Sequence, residues 1–533
     1  MKILKICSIL LIIALSSCYD DKGNYDYHEV ATLNIENIPE LIEVLGNSDH
    51  IIVKPKITSS FEGEITDANP NFEFGYRVEL KTGGTIVSGS RWVDLNPSKR
   101  KDLDTLASLN ANTYLGWFTV TDKRTGVTTS AKFEIKVASP TSEGYMVLCN
   151  EGANNRVRMD MISVISKDRI VPAYDLLSSR GLPELKNATK IGFYPNLFSQ
   201  GDMIYVLSES GAYKLNKDLL TTKEANNMKF SDFILPNTVD NPLVYATLNG
   251  GSPIGSNGNF IVTDKGNIFF QDLSSAGGAF EYPINTPIRG QAPAYRVAPY
   301  IGISPMRPGN GSSAIFYDID NQRFIGWVSS PSAARQTCTP VPDPAAAEML
   351  FSFKTGMKLV YMENTRFSDG LVYAILQDNN GTRHIYGINM AGKGMKQVVK
   401  YESINAPEFA SANKFAFHSQ YPFMYYAVGD KVYSYNLGTK ATESAITLPG
   451  ETITMLKFNL YVQPNLTDLN DKSDEFLSRQ FELMVGSYSN AAKDINGGKL
   501  GFYKVNNNNN TLTKRIDYSG FAHIVDVVYR ERR

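Results

Sequence analysis

Beyond residue 143 the chain repeats itself, and the way the repeat ends limits the folds open to it. A pair of apolar, aromatic-bearing strands joined by a short turn recurs with starts near Met146, Ile204, Ile261, Ala314, Tyr373, Tyr425 and Leu483. The interval is roughly 50 to 60 residues, long for a solenoid and suited to one blade-sized sheet per copy. The pattern is plainest in Met203-Ile204-Tyr205-Val206-Leu207 with Gly211-Ala212-Tyr213-Lys214-Leu215. It returns as Met424-Tyr425-Tyr426-Ala427-Val428 with Lys431-Val432-Tyr433-Ser434-Tyr435, and as Glu482-Leu483-Met484-Val485-Gly486 with Leu500-Gly501-Phe502-Tyr503-Lys504. A further strand precedes the clear copies: Thr189 to Tyr194, Lys414 to His418, and Met455 to Asn459. It occurs once more near the C-terminus, Ile524-Val525-Asp526-Val527-Val528-Tyr529, with no pair after it. The pair at Met146 has none before it. A ring accounts for both gaps, because the last strand then completes the first sheet and no edge is left open. Two further sandwiches would leave that strand without a role. Residues 143–533 are therefore expected to form a closed β-propeller of seven blades, eight being the next count.

Residues 29–138 read as short strands broken by polar turns. Ile51 to Ile57 reads as one strand, and Phe72 to Leu80 alternates apolar and polar residues before the turn at Gly83-Gly84. Asp102 to Leu109 reads as a helical turn or a crossing connection. Tyr114 to Asp122 and Thr129 to Val137 form a hairpin across Lys123-Arg124-Thr125-Gly126, with Tyr114 and Trp117 expected in the core. About 110 residues of this kind suit a β-sandwich of immunoglobulin type.

The N-terminus has three readable parts. Lys2 and Lys5 precede an apolar run from Ile6 to Leu15, about ten residues where a membrane-spanning helix needs roughly 20. Leu15-Ser16-Ser17-Cys18 then has the form of a bacterial lipobox, predicting removal of residues 1–17 and lipidation of Cys18. Several acyl chains on one residue hold stably where a single chain is reversible, so the expected partner is a membrane. Residues 18–28 read as a polar tether.

That tether, Cys18-Tyr19-Asp20-Asp21-Lys22-Gly23-Asn24-Tyr25-Asp26-Tyr27, stands ahead of a sandwich whose aromatic strand ends in Thr121-Asp122 and whose last strand ends at Val137. The arrangement resembles the PKD-like family of Bacteroidetes lipoproteins. The resemblance implies an all-β chain, a PKD/immunoglobulin-like sandwich followed by the propeller. The acids after Cys18 resemble the surface-export signal of that group, which implies an outer-membrane lipoprotein facing outward. It further implies an accessory binding protein of a SusC/SusD-type nutrient uptake system, capturing a glycan, a peptide or another nutrient.

Charge and motif content exclude several classes. Lys and Arg number 53 against 54 Asp and Glu, so no basic field exists to attract nucleic acid. The five histidines, His28, His50, His384, His418 and His523, fall in no metal-ligand spacing, and no Cys-x-x-Cys occurs. There is no Gly-x-Ser-x-Gly elbow and no phosphate loop with its lysine. Gly250 to Gly255 reads as a turn, and so does Asp318-Ile319-Asp320-Asn321, which lacks the glycine and distal Glu of a calcium loop. Asn506 to Asn510 reads as a polar loop tip. Cys149 lies in an apolar strand and reads as a small buried hydrophobe, while Cys338 lies in a loop-like stretch; the sequence leaves their pairing open. No catalytic residue, metal site or cofactor is assigned, and the ligand-binding residues stay unknown. Two alternatives remain: a propeller hydrolase or lyase using paired carboxylates, and an adhesin or envelope interaction scaffold.

Overall fold

A computed structural model describes residues 32–82, 85–86, 92–166, 169–194, 203–234, 240–249, 257–273, 278–304, 312–329, 336–365, 370–391, 394–458, 481–491, 495–506 and 510–530. The signal segment, Cys18, the tether and the Gly83-Gly84 and Gly250 to Gly255 turns lie outside them. The chain divides into two compact units between Ser139 and Pro140. No helix among the described residues is long and apolar enough to cross a membrane.

The first unit is a β-sandwich. Its main sheet carries Phe72–Thr82, Asn112–Asp122 and Thr128–Ala138 as antiparallel neighbours, with Leu41–Leu45 added parallel to the last. Two small sheets complete the unit, Leu33–Glu36 with Lys56–Ser59 and Gly63–Glu64, and His50–Val53 with Leu103–Leu106. The expected single strand over Ile51 to Ile57 is thus two strands in different sheets. Pro55 lies between them, where its missing N–H cannot serve a ladder. The segment expected as a helical turn or a crossing connection, Asp102 to Leu109, contains the strand Leu103–Leu106, with Leu103 and Ala107 buried in the core. Tyr114 is buried as expected, and its hydroxyl donates to Asn110 O at 2.9 Å, the tie of a tyrosine corner. Trp117 is not in the core. Tyr114, Gly116, Phe118 and Val120 take the inward face, so Trp117 points outward and meets half-exposed Trp92 edge-on at 4.7 Å. Gly116 holds its inward position because the Phe133 ring fills the space a Cβ would occupy, 2.5 Å away.

The second unit is a β-propeller of seven sheets. From the inside outward, blade 1 holds His523–Arg530, Gly144–Glu151, Arg156–Ser166 and Arg169–Ala173. Blade 2 holds Ala188–Tyr194, Met203–Ser208 and Gly211–Leu215; blade 3 holds Pro242–Asn249, Asn257–Thr263 and Ile268–Asp272. Blade 4 holds Gly302–Ile303, Ser313–Asp318, Arg323–Val328 and Thr339–Pro340. Blades 5, 6 and 7 run Lys358–Asn364 to Lys396–Tyr401, Lys414–Phe417 to Thr442–Thr447, and Glu451–Phe458 to Leu512–Phe521, four strands each. The seven starts read from the sequence fall on the second strand of each blade. The four solitary elements are the inner strands of blades 2, 6, 7 and 1. Each inner strand touches the next around the circle, and that of blade 7 meets His523–Arg530.

Middle strands are buried along their whole length: Met203–Ser208, Ser313–Asp318 and Leu371–Gln377 carry at most one position that is not. A strand between two neighbouring blades has both faces covered, so it reads as a continuous apolar run rather than an alternation. Seven apolar clusters fill the seven gaps between blades. Tyr145 meets Phe502 at 4.8 Å between blades 1 and 7, Phe260 meets Phe316 at 5.5 Å between 3 and 4, and Tyr373 stacks on Phe417 at 4.4 Å between 5 and 6. Such aromatic pairs add about 0.5–1.5 kcal/mol each beyond area burial.

Candidate functional site

Inner strands of neighbouring blades splay apart and form no ladder with one another, so each presents unpaired backbone groups toward the central channel. Side chains on the inner strands meet that need across blades. Asp526 of blade 1 accepts from Ile191 N of blade 2 at 3.2 Å. Asn364 of blade 5 accepts from Ile303 N of blade 4 at 2.8 Å, and Glu363 of blade 5 from Phe417 N of blade 6 at 2.5 Å. Thr189 of blade 2 donates to Leu243 O of blade 3 at 2.8 Å.

Among these stitches lies a charged group. Lys457 of blade 7 donates to Asp526 Oδ1 at 2.6 Å and to Val527 O at 2.7 Å. The Tyr361 hydroxyl donates to the second oxygen of Glu363. The charges of Asp526, Lys457 and Glu363 all reach the Lys190 ammonium on blade 2. Groups from blades 1, 2, 5 and 7 therefore sense one another across the channel. The side chain of Asp526 is 10 % exposed and that of Lys457 27 %, so solvent still reaches a site walled by protein.

Burial acts on these groups unequally. It pushes the Asp526 carboxyl up, but Lys457 and Lys190 outweigh it and hold the group below the usual carboxylate range. Glu363 goes the other way. Burial raises it, and the Tyr361 and Phe417 hydrogen bonds and the two lysines pull it back only to about 7. Burial lowers the Lys190 pKa, Asp526 and Glu363 opposing and Lys457 assisting. A channel site with a carboxyl poised near neutrality can hold an ion, position a polar ligand or move a proton.

The Glu363 shift has a consequence for stability. The folded chain binds this proton more tightly than the unfolded one, so stability falls as pH rises from 4.5 toward 7. The loss is at most about 3 kcal/mol, less where channel water screens the charge. Glu363→Gln keeps an acceptor for Phe417 N and lets its amide donate to Tyr361. Urea unfolding across this range should show Gln matching wild type below pH 4.5 and exceeding it above pH 7. A variant less stable at every pH would refute the assignment.

None of these residues was singled out by sequence, though Asp526 and Lys457 carry a signal: each is polar between apolar neighbours, as in Val525-Asp526-Val527 and Leu456-Lys457-Phe458. The residues that were singled out fall elsewhere, except His523, which begins the inner strand of blade 1. Cys18 and His28 lie outside the described residues. Cys149 and Cys338 are free, buried thiols. Asp318 caps its own hairpin, accepting from Asp320 N at 3.1 Å, Asn321 N at 3.0 Å and Arg323 Nε at 2.8 Å, as turn chemistry requires. His50 pairs with Asp104 on the sandwich, and His384 lies 3.5 Å from Asp378. His418 is packed among Tyr421, Phe423, Phe458 and Phe481, and burial lowers its pKa to about 4. Among the described residues no His, Cys, Asp and Glu side chains group as a metal site.

The PKD-like family profile matches residues 18–179, which takes in the sandwich and three strands of blade 1. No curated protein matches the chain. Among solved structures, a quinonprotein alcohol dehydrogenase-like protein from Bacteroides thetaiotaomicron is similar at 12 % identity and a TM-score of 0.38, covering 95 % of this chain and 100 % of its own. The β-propeller domain of Cps50 (Swd1) from Myceliophteria thermophila is similar at 8 % identity and 0.38, covering 69 % and 98 %. A DUF4784 family protein from Bacteroides caccae is similar at 8 % identity and 0.29, covering 78 % and 96 %.

Proposed function

We propose that this chain is a non-catalytic binding lipoprotein, held by lipid on Cys18 at the outer face of the outer membrane. In this reading it assists a SusC/SusD-type uptake system by capturing a glycan, a peptide or another nutrient. The engagement of the channel acids carries the non-catalytic part. Both oxygens of Asp526 and both of Glu363 accept from protein donors. A hydrolytic pair needs carboxyl oxygens free to reach substrate and water, whereas these hold neighbouring blades together. The family match over residues 18–179 and the lipobox ending at Cys18 support the anchored setting.

The test uses the full chain in detergent micelles against a panel of glycans and peptides, with transporter co-purification from cells and protease shaving of intact cells alongside. Binding of one ligand class without turnover, and release of the propeller by shaving, are the expected results. No binding across the panel together with no co-purifying transporter would sink the reading.

Glu363 favours a second reading, a polysaccharide hydrolase or lyase. A carboxyl with a pKa of about 7 beside Tyr361 suits a general acid. Turnover of a polysaccharide by the full chain, lost in Glu363→Gln, decides for it.

A further inference from the structure

We propose that the propeller's channel binds a small oxyanion, a carboxylate or phosphate group, on the ammonium of Lys190. Lys190 lies on the inner strand of blade 2, beside the Ile191 N–H that docks on Asp526. Its neighbour in the channel, Lys457, has two protein acceptors. Lys190 has no hydrogen-bond partner for its side chain among the described residues. An ammonium has three donors to satisfy, and that of the half-buried Lys190 meets them with channel solvent, which an anion can displace. Asp526 and Glu363 act on it through space, but neither accepts a hydrogen bond from it. Asp526 is already matched by Lys457. Glu363, the other acid within reach, has both oxygens engaged by Tyr361 and Phe417.

A second feature points the same way. Lys414 and His523 are the first residues of the inner strands of blades 6 and 1, on either side of blade 7 at one end of the channel. The Lys414 charge reaches His523. No carboxylate pairs with Lys414 among the described residues, and burial alone perturbs it. Burial and the Lys414 charge both favour the neutral form of His523, so the positive charge at that end is that of Lys414. A low-dielectric channel focuses such a field and draws anions along it. The inference stands whether or not the chain captures a nutrient.

Inorganic phosphate and the acid of a uronic-acid glycan share this chemistry, and two titrations distinguish them. The full chain is unfolded thermally at neutral pH and constant ionic strength, with phosphate, with glucuronate, and with glucose as the uncharged control. A ligand that binds only the folded state raises the melting temperature saturably. The expected result is a saturable rise with phosphate or glucuronate and none with glucose; tighter glucuronate binding would identify a glycan acid as the occupant, tighter phosphate binding a free ion. Lys190→Met should weaken the response about tenfold or more, since charge-assisted hydrogen bonds to the anion are lost. Without anion, that variant should melt close to wild type, because the ammonium it removes donates no hydrogen bond to the protein and Lys457 still serves Asp526. Lys190→Gln, neutral but polar, gives the same reading if Met impairs folding. No saturable rise with either anion, or an undiminished rise in both variants, overturns the proposal.

Discussion

Deleting residues 523–533 should leave the propeller without a cooperative unfolding transition. His523–Arg530 pairs with Gly144–Glu151 along its length, so its loss exposes a full strand edge. Ile524, Val527 and Tyr529 leave the cluster between blades 7 and 1. At about 1.5–3 kcal/mol for each buried side chain, these alone approach the 5–15 kcal/mol that holds a typical domain together. The ionic stitch from Lys457 to Asp526 goes as well, and so do the bonds from Tyr529 to Glu143 and from Arg530 to Thr141 O. Far-UV circular dichroism on heating should show the propeller's sharp transition in the full chain and its loss in the truncated one, the sandwich's own transition remaining. A synthetic peptide of residues 522–530 added in trans should restore the transition in part, as expected of a strand that closes a ring. An unchanged melting curve after truncation would mean that the C-terminal strand does not close it.

The second large effect is expected at Arg158, which ties blade 1 to blade 7 from a nearly sealed position, 4 % exposed. It donates to Asp160 at 2.7 Å and Glu151 at 3.1 Å within blade 1, and to Asn496 at 2.8 Å and Gly520 O at 3.1 Å in blade 7. Asp160 is wholly buried, and burial keeps its carboxyl above the usual range even beside the guanidinium. Arg158→Met should cost about 3–5 kcal/mol in urea unfolding, the usual penalty for removing one partner of a buried pair. The deficit should shrink in acid, where Asp160 takes up a proton and the uncompensated charge disappears. Arg158→Met combined with Asp160→Leu should recover much of the loss, because an apolar pair needs no desolvated charge. A cost below about 1 kcal/mol for the single variant would place the pair among weak surface contacts instead.

Sequence reached the ring through its most buried parts. Strands such as Leu371–Gln377 and Phe423–Val428, covered on both faces, leave unbroken apolar runs that are visible without a structure. The outermost strands were invisible for the opposite reason. Lys396–Tyr401 and Thr442–Thr447 are largely polar and half exposed, and they resemble loops until paired. The inner strand of blade 4, Gly302–Ile303, has only two residues, too few for any period to register. In the sandwich, Tyr114 and Trp117 were both expected in the core, and only Tyr114 lies there. An aromatic residue is equally at home in a core or on an open sheet, and only the register with Phe74, Tyr76 and Phe133 fixes which side is which.

The sequence by itself determined that the chain is built of strands, that the second region repeats, and that its last strand must return to its first sheet. These are properties of local pattern and of the need to pair every edge. Only the tertiary structure decided that Lys190, Tyr361, Glu363, Lys457 and Asp526 share one channel. They come from blades 2, 5, 7 and 1, separated by up to 336 residues between Lys190 and Asp526. No spacing rule links them, because a ring brings every inner strand to the same axis whatever the length of chain between.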